Sequence, residues 1–316
     1  MKIAILGCGA AGSVFAGYLK LGGADDIVLV DINKAHMDKV SKDGLILRTP
    51  EGEFHTEGYK TANSASDIGI VDIAIIMVKA TQTEAVLEAS MACIGPDTVV
   101  ATLQNGLGND EKVKKYVPAK RVIFGCGNIG TELPEPGVCV AKPIAGINMF
   151  IGPAEKSENN DKAGAYLENC FAKGGLSPKY YDDVRPQIWK KATSNAGFNT
   201  VCAVLRLKIK EVYALSDGVA LVWQIWKEAS DVAEALGIPG IWEFMQEQMP
   251  GLIRDLGDYY PSMAQDVLMH HRQTEVIVLT GAISDYGKKV GVATPTCDVL
   301  TQVIKALQAS YDVQYK

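Results

Sequence analysis

Gly7, Gly9 and Gly12, with Cys8, Ala10 and Ala11 between them, follow the apolar run 3–6 and lead into a stretch of helical periodicity. In that setting a G-x-G-x-x-G pattern holds the pyrophosphate of a dinucleotide. The first glycine permits a tight turn, the second lets the backbone approach the phosphates, and the third lets the helix pack closely on the strand. The phosphates then meet unpaired N–H groups at the positive end of a helix dipole. Gly7, Gly9, Ala10, Ala11 and Gly12 are therefore the candidate cofactor-binding residues. Asp31 ends the next apolar run, 27–30. A carboxylate there accepts hydrogen bonds from both ribose hydroxyls of an NAD adenosine and repels the 2′-phosphate of NADP. NAD is the favoured cofactor, and Lys34 close by leaves NADP open. Asp31 and Asn33 are also both placed to cap the helical stretch 34–40.

A second constellation lies far along the chain. Lys191, Asn195 and Asn199 recur every fourth residue and so form one stripe along a helix. Asparagine is a poor interior helix former, and a polar cleft facing the stripe would explain two of them beside a lysine. A solvated helix face would explain them as well. Further on, Ser262, Asp266, Arg272, Thr274 and Glu275 gather around a helix start, with Thr274 placed as a cap. Glu275 reads either as a site acid or as a first-turn acid that complements the helix dipole. His270 and His271 are adjacent and would diverge by about 100° on a helix, so they make a poor chelating pair, and no metal site is expected.

These residues need two kinds of scaffold. The first half alternates β-branched runs at 3–6, 27–30, 71–78, 99–103 and 122–125 with helical stretches, the signature of a parallel sheet covered on both faces. Residues 13–21 form the first crossover helix of a βαβ unit, and Gly22-Gly23 stops it. Runs 45–47 and 54–56 flank Glu51-Gly52 as a small hairpin, while 138–141 and 149–152 read as later, antiparallel additions. After residue 181 the pattern is helical, punctuated by glycine and proline. The expected class is α/β: an N-terminal Rossmann-type doubly wound sheet over residues 1–182, followed by an all-helical C-terminal domain over 183–316.

Composition narrows the partners. A formal charge of -6 offers no basic surface for nucleic acid, and no run reaches the roughly 18 apolar residues of a membrane span. Seven scattered cysteines with no Cys-x-x-Cys pair read as reduced thiols of a cytoplasmic protein. A small molecule is the expected partner, and a homodimer is left open.

Taken in order, the glycine turn, Val78-Lys79-Ala80, Gln104-Asn105-Gly106, Lys191-x-x-x-Asn195-x-x-x-Asn199, Ser262-Met263-x-x-Asp266, Thr274-Glu275 and Gly281 resemble the ketopantoate reductase (2-dehydropantoate 2-reductase) family along nearly the whole chain. The resemblance implies NAD(P)H-dependent reduction of a 2-oxo acid, ketopantoate to pantoate in pantothenate biosynthesis. It makes Lys191 the general acid, Glu275 a catalytic-site acid, and Asn195, Asn199 and Ser262 substrate ligands. Lys79 and Asn105 then stand beside nicotinamide and substrate. Two features depart from the family pattern: Asp31 stands where NADPH-using members carry a neutral or basic residue, and the segment from Ser262 to Glu275 is one residue longer. The alternatives are a related 2-oxo-acid, imine or opine reductase, or an NAD-sensing module without chemistry. A sensor has no use for a proton donor such as Lys191.

Overall fold

The computed structural model describes residues 1–314. Two compact units emerge, one of Met1–Asn105 with Asn109–Val184, the other of Gly106–Gly108 with the chain from Arg185 onward.

The first unit opens with β1 (Lys2–Leu6), α1 (Ala10–Leu21), β2 (Asp26–Val30) and α2 (Lys34–Asp43), then β3 (Leu45–Thr49), β4 (Gly52–Thr56) and β5 (Lys60–Ala62). It continues through β6 (Ile73–Ile76), α3 (Thr83–Ser90), β7 (Val99–Thr102), α4 (Asn109–Val113) and β8 (Val122–Gly127). β9 (Ile129–Glu135), β10 (Val138–Pro143), β11 (Met149–Pro153), α5 (Glu158–Lys173) and β12 (Pro178–Tyr180) complete it. Eight strands form one sheet in the order β12-β11-β8-β7-β6-β1-β2-β5, of which β5-β2-β1-β6-β7-β8 run parallel. Chain direction through the sheet reverses between β1 and β6, and at such a switch point the carboxyl ends of the strands leave a crevice for a ligand. The sheet is buried on both faces. Ile3, Ile5, Ile27, Leu29, Ile73 and Ile75 pack on one side with Phe15, Leu19 and Phe171, while Ala4, Leu6, Val28, Ala74 and Ile76 pack on the other with Leu87 and Val113. Burial of alternate residues on opposite faces is why these strands read as unbroken apolar runs.

The doubly wound sheet and the 45–56 hairpin are as the sequence predicts; two details differ. The first helix starts at Ala10, because Gly12 is one of its residues rather than part of the turn before it. Residues 138–141 do not extend the main sheet. β10 pairs parallel with β3 and antiparallel with β9, in a separate four-stranded sheet of order β4-β3-β10-β9. That parallel pairing joins segments about ninety residues apart and leaves no trace in local periodicity. β11 does join the main sheet antiparallel to β8.

The second unit is helical among the described residues: α6 (Arg185–Leu205), α7 (Ile209–Ala214), α8 (Ser216–Ala235), α9 (Ile241–Leu256), α10 (Ser262–Leu268), α11 (Thr280–Val290) and α12 (Pro295–Ala309). α6 is its axis and packs on α7, α8, α9, α10 and α12. At Gly197 a Cβ would overlap the Trp226 indole, so the glycine in mid-helix is what lets α6 approach α8. No described helix is long and apolar enough to cross a membrane.

Candidate active site

The glycine turn lies at the carboxyl ends of β1 and β6. Gly7 has φ +99°, and a Cβ there would stand 2.6 Å from Val78 Cγ1 and 2.8 Å from the Val78 nitrogen. Only glycine lets the turn lie against the end of β6. At Gly12 a Cβ would overlap the Gly7 carbonyl oxygen, so the third glycine sets the approach of helix to strand. Gly9 differs, since a Cβ there meets nothing within 4 Å and its φ is an ordinary -68°. The protein has no packing need for a glycine at this position. The space beside it fits a ligand that runs over the backbone, and no side chain caps the start of α1, whose residues Ala10, Ala11 and Gly12 follow directly. The turn therefore fits a pyrophosphate.

Asp31 is tied into the same turn. Its Oδ2 accepts from the Cys8 N–H at 2.6 Å and its Oδ1 from the Asn33 N–H at 2.8 Å. The cap of α2 is Asn33, which accepts from the His36 N–H at 3.2 Å, so of the two candidate caps Asn33 takes the role and Asp31 braces the turn. Lys34 is exposed and holds Asp38 through both carboxylate oxygens at 2.8 and 2.9 Å. Cys8 is buried, its thiol pushed well up by burial and then by Asp31, which keeps it protonated and inert.

Lys79 and Asn105 lie on the loops after β6 and β7, and Gln104 fastens these loops together. Its buried amide donates to the Val78 carbonyl at 2.6 Å and accepts from Thr102 Oγ1 at 2.8 Å. Asn109 Nδ2 donates to the Asn105 carbonyl at 2.9 Å and fixes that backbone. Gln104 was visible in the sequence as the first residue of Gln-Asn-Gly, but its bracing role depends on β6 and β7 being neighbours.

In the helical unit, Lys191 and Asn195 on α6 are half-buried, and Asn199 is 7% exposed. The solvated-face alternative does not hold for a stripe on the central helix. Ser262 opens α10, and Asn199 Nδ2 reaches its Oγ at 3.4 Å. Lys190 points elsewhere, its ammonium 4.6 Å from the Phe244 ring centroid. Glu275 is half-buried and precedes a single 3-10 turn, Val276–Val278, rather than sitting in the first turn of an α-helix, since α11 begins only at Thr280. The segment before it is well anchored. Arg272 Nε donates to the buried Asp266 carboxylate, the Thr274 N–H and hydroxyl both reach Gln308 Oε1, at 3.0 and 2.9 Å, and Tyr311 donates to the Arg272 carbonyl at 3.0 Å. His271, with φ 45°, turns this loop in the left-handed region. Thr274 Oγ1 accepts from the Val276 N–H at 3.3 Å, although the cap position of the 3-10 turn is Glu275, not Thr274. Gly106 and Leu107 join the same unit: a Cβ on Gly106 (φ +93°) would stand 2.5 Å from Val278, and the Leu107 N–H donates to the Val278 carbonyl at 2.8 Å. Among the described residues no group of histidine, cysteine or acidic side chains is arranged to hold a metal ion.

A doubly wound sheet with a dinucleotide turn at its switch point, joined to a helical unit with a lysine and two asparagines on its central helix, defines a two-domain oxidoreductase of the NAD(P)-dependent class. Comparison with known proteins gives the family. Residues 3–154 match the family described as ketopantoate reductase PanE/ApbA, and residues 183–308 match its C-terminal counterpart. The chain belongs to the ketopantoate reductase family. It is 29% identical over 318 residues to a 2-dehydropantoate 2-reductase of Streptococcus pyogenes serotype M6, covering 99% of this chain and 100% of that protein. The enzyme of the same name from Aquifex aeolicus is 29% identical over 315 residues, covering 97% and 96%. Among solved structures, the ternary structure of D-mandelate dehydrogenase with NADH and anilino(oxo)acetate superposes with a TM-score of 0.86 at 30% identity, covering 99% of this chain and 100% of that one.

Proposed function

We propose that this chain reduces a 2-oxo acid with NADH, ketopantoate to pantoate being the leading assignment, and that Lys191 is the general acid. The observation that carries the reading is the stripe of half-buried Lys191 and Asn195 and buried Asn199 on the axis of the helical unit, in a chain whose other unit presents a dinucleotide turn. The glycine turn would hold the cofactor's pyrophosphate, and the cofactor, when bound, would supply a hydride to the carbonyl carbon. Negative charge then grows on the carbonyl oxygen, and the Lys191 ammonium meets it and delivers the proton that completes the hydroxyl. Asn195, Asn199 and Ser262 are neutral donors suited to the substrate's carboxylate and hydroxyl, so their bonds are spent on orientation. Glu275 orients the ammonium or holds the substrate hydroxyl, and Lys79 and Asn105 flank the nicotinamide. NADH is favoured because Asp31 carries its charge where a 2′-phosphate would lie and because Lys34 is engaged by Asp38.

A second reading keeps the chemistry and changes the acid. D-mandelate dehydrogenase, solved with NADH, is 30% identical over 99% of this chain, which supports an aryl 2-oxo acid as an alternative substrate. Steady-state kinetics with ketopantoate and phenylglyoxylate, each with NADH and NADPH, separates the two. Turnover of ketopantoate with the higher kcat/KM supports the first reading, and phenylglyoxylate ahead supports the second. Loss of NADH absorbance with neither acid, in a protein that binds NADH, refutes the reductase.

A further inference from the structure

His36 and Ser13 are both completely buried, and neither has a part in the chemistry above. His36 Nδ1 accepts a hydrogen bond from the Gly137 N–H at 3.0 Å, in the turn between β9 and β10. A backbone N–H only donates, so Nδ1 carries no proton and the neutral ring bears its hydrogen on Nε2. Nε2–H therefore donates to Ser13 Oγ, 3.0 Å away, and the Ser13 hydroxyl donates in turn to the Cys8 carbonyl at 3.0 Å. Burial pushes the imidazole below its ordinary value, in keeping with a ring that is neutral in this setting. The direction of every bond in the relay is thus fixed by the backbone group at its far end.

The relay ends on one peptide plane. No peptide bond among the described residues is cis, so the Cys8 carbonyl and the Gly9 N–H point in opposite directions. Holding the carbonyl on Ser13 therefore turns the Gly9 N–H to the opposite side, away from Ser13, and a Cβ on Gly9 would meet nothing but its own chain neighbours within 4 Å, so the backbone here is open to a ligand. On the other side of Cys8, Asp31 holds the N–H, so both peptides that flank this residue are set. His36 is itself placed from the same end of β2, because Asp31 accepts from the Asn33 N–H and Asn33 from the His36 N–H. The bonds close into a circuit around the turn.

We propose that His36 is a positioning residue for the cofactor: acting through Ser13, it fixes the Cys8–Gly9 peptide so that the Gly9 N–H faces the pyrophosphate. This rests on the reading of the turn as a dinucleotide site. The two ring nitrogens allow a test that separates positioning from general stability, because the amide nitrogen of glutamine lies near the place of Nε2, whereas the amide oxygen of asparagine lies near that of Nδ1. His36→Gln keeps the bond to Ser13 and gives up the bond from Gly137; His36→Asn does the reverse. NADH binding to the full-length protein is measured by fluorescence titration at about pH 8, where the ring is neutral, with melting curves for each variant. His36→Gln is expected to bind NADH close to wild type although it melts lower. His36→Asn and Ser13→Ala are expected to bind about three- to tenfold more weakly, the scale of one hydrogen bond, and the Ser13→Ala/His36→Asn double variant no more weakly than either alone. Equal affinities for His36→Gln and His36→Asn, or additive losses in the double variant, overturn the positioning role while leaving the site intact. A wild type that binds neither NADH nor NADPH overturns the dinucleotide reading itself.

Discussion

Gly9 and Gly12 are identical residues of one glycine motif, the first at the cap of α1 and the second inside it, and the structure predicts opposite outcomes for the same substitution. In Gly9→Ala the new methyl group meets no atom of the protein within 4 Å, and a φ of -68° suits alanine. Stability should be unchanged or rise by about 0.4–1 kcal/mol, because the unfolded chain loses freedom. On the proposed reading, the methyl group would instead enter the path of the pyrophosphate and push it off the helix N-terminus. Losing one hydrogen bond to a charged partner costs about 1.5–3 kcal/mol, which is roughly a 10- to 100-fold rise in the Kd for NADH. In Gly12→Ala the methyl group overlaps the Gly7 carbonyl oxygen, a backbone atom that moves only with β1 and α1. Overpacking of that kind costs about 1–3 kcal/mol, or roughly 2–4 °C of Tm per kcal/mol in a unit of this size. Differential scanning calorimetry beside NADH titration reads both quantities. A Gly9→Ala protein that binds NADH as wild type does, or that loses stability like Gly12→Ala, would refute the placement of the pyrophosphate over Gly9.

Lys191→Ala should lower kcat by about 10²-fold or more with NADH affinity unchanged. Its control, Lys190→Ala, should keep kcat and lose about 0.5–1 kcal/mol of stability with the Phe244 contact, so equal kcat in the two variants would remove Lys191 from the chemistry. Glu275→Ala should lower kcat/KM with the protein still folded; an unchanged kcat/KM with a lower Tm would make it structural. Asp31→Asn should narrow the NADH to NADPH ratio of kcat/KM, and it should also lower Tm, since one amide oxygen replaces two carboxylate oxygens that each hold a backbone N–H. A ratio that does not move separates Asp31 from cofactor choice. His36 sets a pH dependence: its folded pKa lies below the ordinary 6.5, so its contribution to stability is complete above that value and is lost as pH falls below it, where the unfolded chain takes up the proton first. His36→Gln should flatten that part of the Tm-against-pH curve relative to wild type, and parallel curves would contradict the buried neutral ring.

The main sheet was legible because its strands are buried on both faces, so 3–6, 27–30 and 99–103 stand out as apolar runs without any knowledge of their partners. Of the second sheet, the β3–β4 hairpin and the strand at 138–141 were legible, but β9 and the pairing of β10 with β3 were not. β9 carries Glu132 and Glu135 with exposed or half-buried neighbours, and β10 finds β3 across a long stretch of chain. The edge strand β9 and the interior strand β10 take their places from their pairing, which periodicity does not record. The short β5 and β12, three residues each, are likewise fixed by β2 and β11 rather than by their own residues.

The site divides along the same line between what local spacing encodes and what only the tertiary structure supplies. Gly7, Gly9 and Gly12 announce themselves, and the stripe of Lys191, Asn195 and Asn199 needs only the helical repeat. Gln104, Ser13 and His36 work through partners on other elements, and His36 meets Gly137 from a hundred residues away. Asp31 is where the two levels meet, because the sequence offers it either to the ribose or to a helix cap, whereas the structure commits it to the Cys8 and Asn33 N–H groups. Those bonds do not exhaust it. An ionised carboxylate has about four acceptor positions, and two are used here, one on each oxygen. One on each oxygen remains for the two hydroxyls of an adenosine ribose. Brace and cofactor ligand are thus compatible in one residue, and under the proposed NADH preference the brace would strengthen discrimination: with both oxygens pinned to backbone N–H groups, the carboxylate could not rotate away from a 2′-phosphate without giving up the bonds that shape the glycine turn.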